Sequence, residues 1–482
     1  MQKQRTLVRE VVERTAAFLE SWLPFRYERL EMPGISVLVK VDGDVVFQET
    51  YGYANLEEKQ SLTSDHIFRI ASHSKTFTAT ALLQLQEREL MHMDDPVSWH
   101  LPWLREHRDT RMAKVTVRQL MSHSAGMIRD GLECNYWQVC EPFPDVDKLK
   151  EEILRASLVF DTNTVMKYSN YGYALLGLVV EEIGEQTFGD FVHDNIIKPL
   201  GLTSTGAEVH EEIVQRLVTG YSRRDLGKKR KAIPGHIDTR SMAAATGFYA
   251  TIEDLACYFD AQFVGSGKLL TDESKKEMQR TQWKIEHNSE NVEYGLGFAI
   301  DHLGDRRVFG HGGGFPGQIT KTMCDPEQKV VVIVLTNCLD GDAKPIAKGI
   351  YAALDHFQQS YENCHEKEFG ELARFEGRYY SLWNIKQIVQ SGDNLLALDP
   401  DHWNPFDEEN DPEGLEYVNG ETLKVAVADG ISCLGEEVTF DFAPDASVRS
   451  IRYGGASMWP EQTYLEMLEE SENEPLTVGS AS

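Results

Sequence analysis

The chain has 482 residues, 41% of them hydrophobic and 10% aromatic. That is long enough for two or three domains and apolar enough for substantial cores, which excludes wholesale disorder. The net charge of −29 argues against nucleic acid and anionic membrane surfaces as partners. Residues 5–22 read as a charged amphipathic helix, and the lead-in Met1-Gln2-Lys3-Gln4-Arg5 lacks the apolar core of a signal peptide. With no apolar run of membrane-spanning length and no N-x-S/T sequon, the expected location is cytoplasmic. Residues 35–49 alternate as a β-hairpin turning at Asp42-Gly43. Residues 72–90 read as a helix, 93–245 as mixed helix and loop, and 306–309, 319–324 and 330–335 as consecutive strands. A helix over 343–357 follows. This order predicts an α+β fold: an antiparallel sheet covered by terminal helices, with a helical region between its halves.

After a polar stretch at 358–368 the texture changes. Short alternating segments at 385–389, 395–398, 423–427 and 438–442 are separated by Gly, Asp and Asn, and predict a small all-β barrel or sandwich. The acidic excess is concentrated here: roughly 20 acidic residues from Asp399 onward face only Lys424, Arg449 and Arg452. The last residues read as a solvated acidic tail. The one basic run, Arg223-Arg224 with Lys228-Lys229-Arg230-Lys231, reads as a charged hairpin tip. Seven cysteines, an odd number with no C-x-x-C, indicate neither a disulfide framework nor a zinc ribbon. No histidine spacing suggests a metal site. Gly312-Gly313-Gly314-Phe315-Pro316-Gly317 fits a dinucleotide-loop pattern, but residues 319–323 read as a strand where such a loop needs a helix, so no nucleotide site is expected.

The chemistry concentrates in Ser72-His73-Ser74-Lys75. On a helix, Ser72 and Lys75 are three apart and share a face. A serine hydroxyl is a weak nucleophile until a neighbouring base takes its proton, and a lysine can do so if burial or nearby positive charge lowers its pKa. The first turn of a helix also favours developing negative charge. Taken alone, S-x-x-K is weak evidence and reads first as an exposed helix start. Two later motifs change that reading. Tyr168-Ser169-Asn170 precedes an apolar helix, and His311-Gly312-Gly313 follows the strand-like Arg307-Val308-Phe309. Y-x-N recurs elsewhere, as at Tyr53 and Tyr417, and H-x-G at His302, but S-x-x-K occurs once.

In this order the motifs resemble the serine β-lactamase and penicillin-binding protein family. The resemblance extends over roughly residues 5–358 through the blocks Leu120 to Met127, Pro199 to Thr205, Thr246 to Thr251 with Asp254-Leu255, and Tyr294 to Phe298. Family members often carry Pro-Gly shortly before Y-x-N, where this chain has Thr162-Asn163. His311 stands where true β-lactamases have lysine, which resembles the D-aminopeptidase, D-Ala-D-Ala carboxypeptidase and esterase side of the family, the CubicO group. The resemblance implies that Ser72 is the nucleophile and that Lys75 and Tyr168 share its proton. It implies that Asn170 holds Lys75 and hydrogen-bonds the substrate, that His311 lies beside Tyr168 and polarises it or contacts the substrate, and that Gly313 belongs to the substrate-binding strand. It also implies that the backbone N–H groups of Ser72 and Gly314 form an oxyanion hole, with neither metal nor cofactor. The substrate is then a small molecule or peptide. An amidase or peptidase, with D-amino-acid peptides in view, is the first reading, a carboxylesterase the second, and a non-catalytic binding or assembly member the third. Homo-oligomerisation is left open. The expected division is a hydrolase domain over 1–358, a linker over 359–369, a domain over 370–465 resembling lipocalin-like appendages of this group, and a tail over 466–482.

Overall fold

The computed structural model describes residues 7–224, 229–233, 236–285, 292–363 and 372–473. They form two compact units, one over 30–347 and one combining 7–29 with 348 onward.

The first unit is built on a nine-stranded antiparallel sheet. Across it run Gln60–Ser61, Asp44–Asn55, Gly34–Val41, Val330–Thr336, Gln318–Asp325, Arg306–Phe315, Ala299–Leu303, Glu293–Tyr294 and Trp283–Lys284. The apolar run Val330–Thr336 is buried at every position, as a central strand covered on both faces requires. It pairs with Gly34–Val41 from Ile35 opposite Thr336 to Val41 opposite Val330. The expected hairpin turns at Asp42 and Gly43, both with positive φ (49° and 93°). The helix Ile252–Ala261 packs on these central strands, and its Asp260 pairs with Lys40. The three strands read from sequence are all present, and Arg306–Phe315 runs six residues further than expected, through the glycines. That segment is a hairpin into Gln318–Asp325, so the nucleotide-loop pattern is strand on both sides.

Two helices lie at the centre of the helical region. Ser74–Glu87 is buried from Ser74 through Leu85, and Phe77 stacks on Tyr258 (3.7 Å between centroids) and Phe248 (4.5 Å). Its Lys75, threonines and Gln84 are buried along with its apolar positions, so the helix lies inside, not on a surface. Asn170–Gly184 is more apolar and is buried over most of its length. Its start is set by Ser169, whose Oγ accepts from Gly172 N (2.9 Å) and donates to the Ile128 carbonyl (2.7 Å). The short pair Phe68–Arg69 with Tyr249–Ala250, extended by Ile70 N to Phe248 O (2.9 Å), brings the chain before Ser72 alongside the chain after Ala245. The basic run lies beyond the pair Gly220–Tyr221 and Ala232–Ile233, with Arg230 paired to Asp340 and Arg224 to Glu31 (2.7 Å). Its tip, 225–228, lies outside the described residues.

The second unit contains a closed eight-stranded barrel in simple sequential order, from Gly377–Tyr380 to Ala456–Pro460. Tyr379 opposite Pro460 and Tyr380 opposite Trp459 close it. Its interior is filled by side chains including Phe375, Tyr379, Leu395, Leu415, Val425 and Ile451. The helix Arg9–Arg29 belongs to this unit. Its Trp22 is fully buried, Phe18 packs on Phe357 and Phe406, Arg14 pairs with Glu376 (2.5 Å), and the Arg378 guanidinium sits 4.7 Å from the Phe25 ring centroid. The division therefore differs from the expected one at 358: the first helix and most of Ala343–Asn363 group with the barrel, because their large aromatics have their partners there. Residues 359–363 of the expected linker continue that helix, and 364–371 lie outside the described residues. The expected tail is helical from 466 to 473, as the end of Glu461–Asn473.

Truncating Trp22 to Ala should cost about 3–5 kcal/mol in the unit that holds it. Urea unfolding followed by near-ultraviolet dichroism should show the transition of the helix–barrel unit shifted to lower urea, with labelling of Ser72 by an active-site probe retained below that transition.

Candidate active site

Ser72 lies in a tight turn, Ala71–His73, that runs directly into Ser74–Glu87. Ala71 holds φ at +46°, a conformation costly for an L residue. The turn is fixed from behind. His73 is fully buried, with one ring nitrogen 2.9 Å from the Ile70 carbonyl and the other 3.0 Å from the Thr322 hydroxyl. A carbonyl only accepts, so Nδ1 carries the proton and Nε2 accepts from Thr322. Burial, the largest cause, pushes the His73 pKa down to about 3, so the ring is a neutral brace. Ser72 itself remains partly exposed.

Lys75 is fully buried one turn further on. Its Nζ lies 2.7 Å from Asn170 Oδ1, 2.8 Å from the Ala245 carbonyl and 3.2 Å from Ser72 Oγ. The Ala245 carbonyl comes from the π-helical turn Ala243–Gly247, in which the Ala244 carbonyl likewise accepts from Thr78 (2.7 Å). Such turns free carbonyls from the regular ladder for side chains to use. Asn170 is oriented by its far end, since Nδ2 donates to Asp130 Oδ1 (2.6 Å). Lysine only donates, so the amide must present its oxygen to Lys75. Asp130 is held in turn by Trp137 Nε1 (3.0 Å) and by Arg129 (3.0 Å). Burial is the largest influence on Lys75 and drives its pKa well below 10.5; Asp130 opposes the shift and Arg129 reinforces it.

Tyr168 is close enough to Ser72 to be influenced by it, and its ring centroid is 4.8 Å from Lys75 Nζ. Burial raises the phenol pKa above its ordinary value, with Ser72 and Arg129 acting the other way. The loop before it turns at Asn163, where φ is +59°. Asparagine tolerates this conformation. Asn163 N donates to Ser124 O (2.8 Å) and Ser124 Oγ to Asn163 Oδ1 (3.0 Å). Thus Asn163 supplies the turn where relatives often have Pro-Gly.

His311 is buried with its ring 6.4 Å from that of Tyr168. Its hydrogen bonds go elsewhere: Nδ1 to the Gly312 carbonyl (2.6 Å) and Nε2 to the Tyr294 hydroxyl (3.0 Å). The same donor logic makes Nε2 an acceptor for Tyr294. Burial, the largest cause, holds the His311 pKa well below its ordinary value. Gly313 is required for close approach: a Cβ there would lie 2.3 Å from the Ile70 carbonyl and 2.4 Å from Thr320 Oγ1. This contact seats the strand Arg306–Phe315 against the Ala71–His73 turn. Gly314 follows, exposed, at the strand's end.

The residues singled out in the sequence therefore converge. Four others belong with them. His123 lies 4.2 Å from the Tyr168 ring and 4.7 Å from Tyr294, and accepts from Ser169 N (3.2 Å). His123 and Tyr294 sit inside blocks that carried the resemblance, so a signal existed. Asp130 and the Ala245 carbonyl had none, since neither belongs to a spaced motif. Among the described residues no group of three or more His, Cys, Asp or Glu could hold a metal ion.

The β-lactamase family model matches residues 8–356. The chain belongs to the β-lactamase family. Penicillin-binding protein 4* of Bacillus subtilis is 26% identical over 374 residues, spanning 74% of this chain and 80% of that protein. The octameric penicillin-binding protein homologue from Pyrococcus abyssi superposes with a TM-score of 0.62 at 21% identity, covering 92% of this chain and 99% of its own. D-amino acid amidase from Ochrobactrum anthropi, in complex with L-phenylalanine amide, gives 0.58 at 24% identity, over 73% and 99%. At these identities the structural likenesses establish the fold alone.

Asp130→Ala should free Asn170 to rotate and weaken its hold on Lys75. A loss of roughly tenfold in kcat is expected, with Asp130→Asn milder because it keeps an acceptor for Asn170 Nδ2. Lys75→Ala and Tyr168→Phe should each lower kcat by at least about a hundredfold, and together by less than the product. Steady-state kinetics on any substrate the wild type turns over checks both.

Proposed function

We propose that this protein is a serine acyl hydrolase of amide bonds that works through an acyl-enzyme at Ser72. The observation that carries this reading is the Lys75 amine, fully buried, 3.2 Å from Ser72 Oγ and touched by neutral acceptors alone. A neutral amine has two N–H groups and one lone pair. In that form Asn170 Oδ1 and Ala245 O take the two N–H groups and the lone pair is available to Ser72 Oγ. Lys75, with its lowered pKa, is then the base, and Tyr168, with its raised pKa, stays a neutral hydroxyl. Ser72 Oγ attacks the carbonyl carbon as its proton passes to Lys75 Nζ. The resulting ammonium returns that proton through the Tyr168 hydroxyl to the leaving nitrogen as the C–N bond breaks. Water then repeats the sequence on the ester, restoring Ser72 and releasing the acid. Backbone N–H groups of Ser72 and Gly314 would receive the developing oxyanion, a contribution of about 3–4 kcal/mol per donor in such sites.

D-amino acid amides are the substrate class we favour. The support is the likeness in fold to D-amino acid amidase and His311 standing where true β-lactamases have lysine. Since the barrel's interior is filled by its own side chains, we assign that unit to access or assembly, and an oligomer is the expected state, in keeping with the octameric homologue from Pyrococcus abyssi. No helix among the described residues is long and apolar enough to cross a membrane, and a cytoplasmic location remains our proposal.

A fluorophosphonate probe should label the protein, with the adduct mapped to Ser72 by mass spectrometry. Labelling that survives Ser72→Ala would overturn the assignment. D- and L-phenylalanine amides and their nitrophenyl esters, compared by kcat/KM, should rank the D-amide above the L-amide. A catalyst active on the esters alone would be a carboxylesterase.

A further inference from the structure

The short helix Val117–Met121 ends on an unusual residue. His123 N donates to Leu120 O (3.2 Å) and Ser124 N to Gln119 O (2.8 Å), the paired bonds of a helix stop whose left-handed residue is usually glycine and sometimes asparagine. Here that residue is His123, with φ at +59°. A Cβ crowds this conformation, so glycine would end the helix at least as well. The helix stop therefore does not account for the imidazole.

The imidazole is buried. Ser169 N donates to Nδ1 (3.2 Å), so the ring proton is on Nε2. Nε2 is buried in turn and has no hydrogen-bond partner among the described residues, which in a native structure calls for an explanation. Burial, the largest cause, holds the His123 pKa well below its ordinary value, in keeping with a neutral ring. Proton transfer by His123 itself is not open, since Nδ1 is engaged by a main-chain N–H and the Nε2 proton meets no acceptor.

What the left-handed turn achieves is a grip on one short segment. The His123 carbonyl accepts from Lys167 N (2.7 Å), and Nδ1 accepts from Ser169 N. Between these two bonds the imidazole lies against the Tyr168 ring, with centroids 4.2 Å apart. One residue thus holds Tyr168 and both of its chain neighbours. Ser124 extends the grip to Asn163, at the turn that leads into the segment.

We propose that His123 is a positioning residue for Tyr168: its carbonyl and Nδ1 clamp the main chain on either side and set the phenol where it can pass the Ser72 proton to the leaving nitrogen. This role deepens, and rests on, the reading of Tyr168 as the proton carrier at Ser72. A histidine that only filled space would need neither the Nδ1 bond nor the left-handed carbonyl.

Asparagine and glycine both suit the left-handed position and differ in what can reach Ser169 N. In His123→Asn the amide oxygen can take the place of Nδ1; in His123→Gly nothing can. Two measurements on the full chain compare them. The first is NMR with isotope-labelled tyrosine, the Tyr168 signal being assigned by its loss in Tyr168→Phe. One sharp Tyr168 environment is expected in the wild type and in His123→Asn, and a broadened or multiplied one in His123→Gly. The second is kcat/KM, which reports acylation, for D-phenylalanine amide and for its nitrophenyl ester. Nitrophenolate leaves without a proton, and the amide nitrogen does not. His123→Gly should therefore lose at least about tenfold on the amide and less than about threefold on the ester, with His123→Asn recovering most of the amide loss. Added to Tyr168→Phe, His123→Gly should cost less than about twofold more on the amide, because no phenol is left to place. Equal losses on amide and ester, or a fully additive loss in Tyr168→Phe, would overturn the proposal, since His123 would then support the site as a whole. An asparagine variant no better than the glycine variant in both measurements would overturn it too. A Tyr168→Phe variant that keeps full amide turnover would instead remove the proton-carrier reading. The Tyr168 signal of His123→Gly would then still decide the clamp, one sharp environment overturning it.

Discussion

The burial of one lysine amine organises this active site. An isolated ammonium in a dry interior is too costly to keep, and a buried lysine answers by losing its proton or by finding partners. Lys75 is given neutral acceptors, an amide oxygen, a main-chain carbonyl and the Ser72 hydroxyl, and no carboxylate touches it to favour the ammonium. The nearest carboxylate in the chain of contacts, Asp130, is set one residue back, behind Asn170. It orients the amide without pairing directly with the lysine. Had Asp130 stood in place of Asn170, the charged form would be favoured and the base lost. The rest of the first unit supplies this arrangement. The buried helix Ser74–Glu87 carries Lys75 inside, the pair Phe68–Arg69 with Tyr249–Ala250 places the Ala245 carbonyl over it, and the Gly313 contact presses the sheet against the Ala71–His73 turn.

What could be read in the sequence follows from what has a period or a fixed spacing. The hairpin at Asp42-Gly43, the central strands and the S-x-x-K helix all announce themselves by alternation or by turn residues, and the structure contains them. Ser72, Lys75, Tyr168, Asn170 and His311 were visible because each belongs to a short motif, and the structure gathers them. The role of His311 was only half visible. Sequence placed it near Tyr168, whereas its hydrogen bonds go to Tyr294 and to its own strand. Asp130 and Ala245 act through a side chain on a loop and through a main-chain carbonyl. Neither has a sequence signature, because any residue can supply a carbonyl and a lone aspartate fits many roles. The grouping of Arg9–Arg29 with the barrel was hidden for a related reason. An apolar helix face shows that it is covered, not by what; Phe18 and Trp22 find Phe357, Phe406 and Gly349 from the far end of the chain.

The turn Ala243–Gly247 sits at a junction. One face directs the Ala244 and Ala245 carbonyls to Thr78 and Lys75, and Ala243 and Ala244 also line a cavity of about 620 Å³ that Asp145, Glu181, Asp190 and Glu208 border. Helix Asn170–Gly184 is shared in the same way, with Asn170 at the lysine and Gly177 at the cavity. Two chemically distinct spaces are thus separated by single layers of small residues. Close packing across such a layer means that a larger side chain on it disturbs both, and Gly177, where a Cβ would lie 2.6 Å from the Ala244 Cβ, has no room for one.

The central claim is that Lys75 is an uncharged base at neutral pH. The direct measurement is its titration by NMR in protein carrying isotope-labelled lysine, with the Lys75 signal assigned by its loss in Lys75→Arg. A midpoint well below the ordinary lysine value of 10.5, coinciding with the pH at which Ser72 acylation gains half its maximal rate, is the result expected. A Lys75 that titrates at or above the ordinary lysine value would contradict the account and would move the role of base to Tyr168.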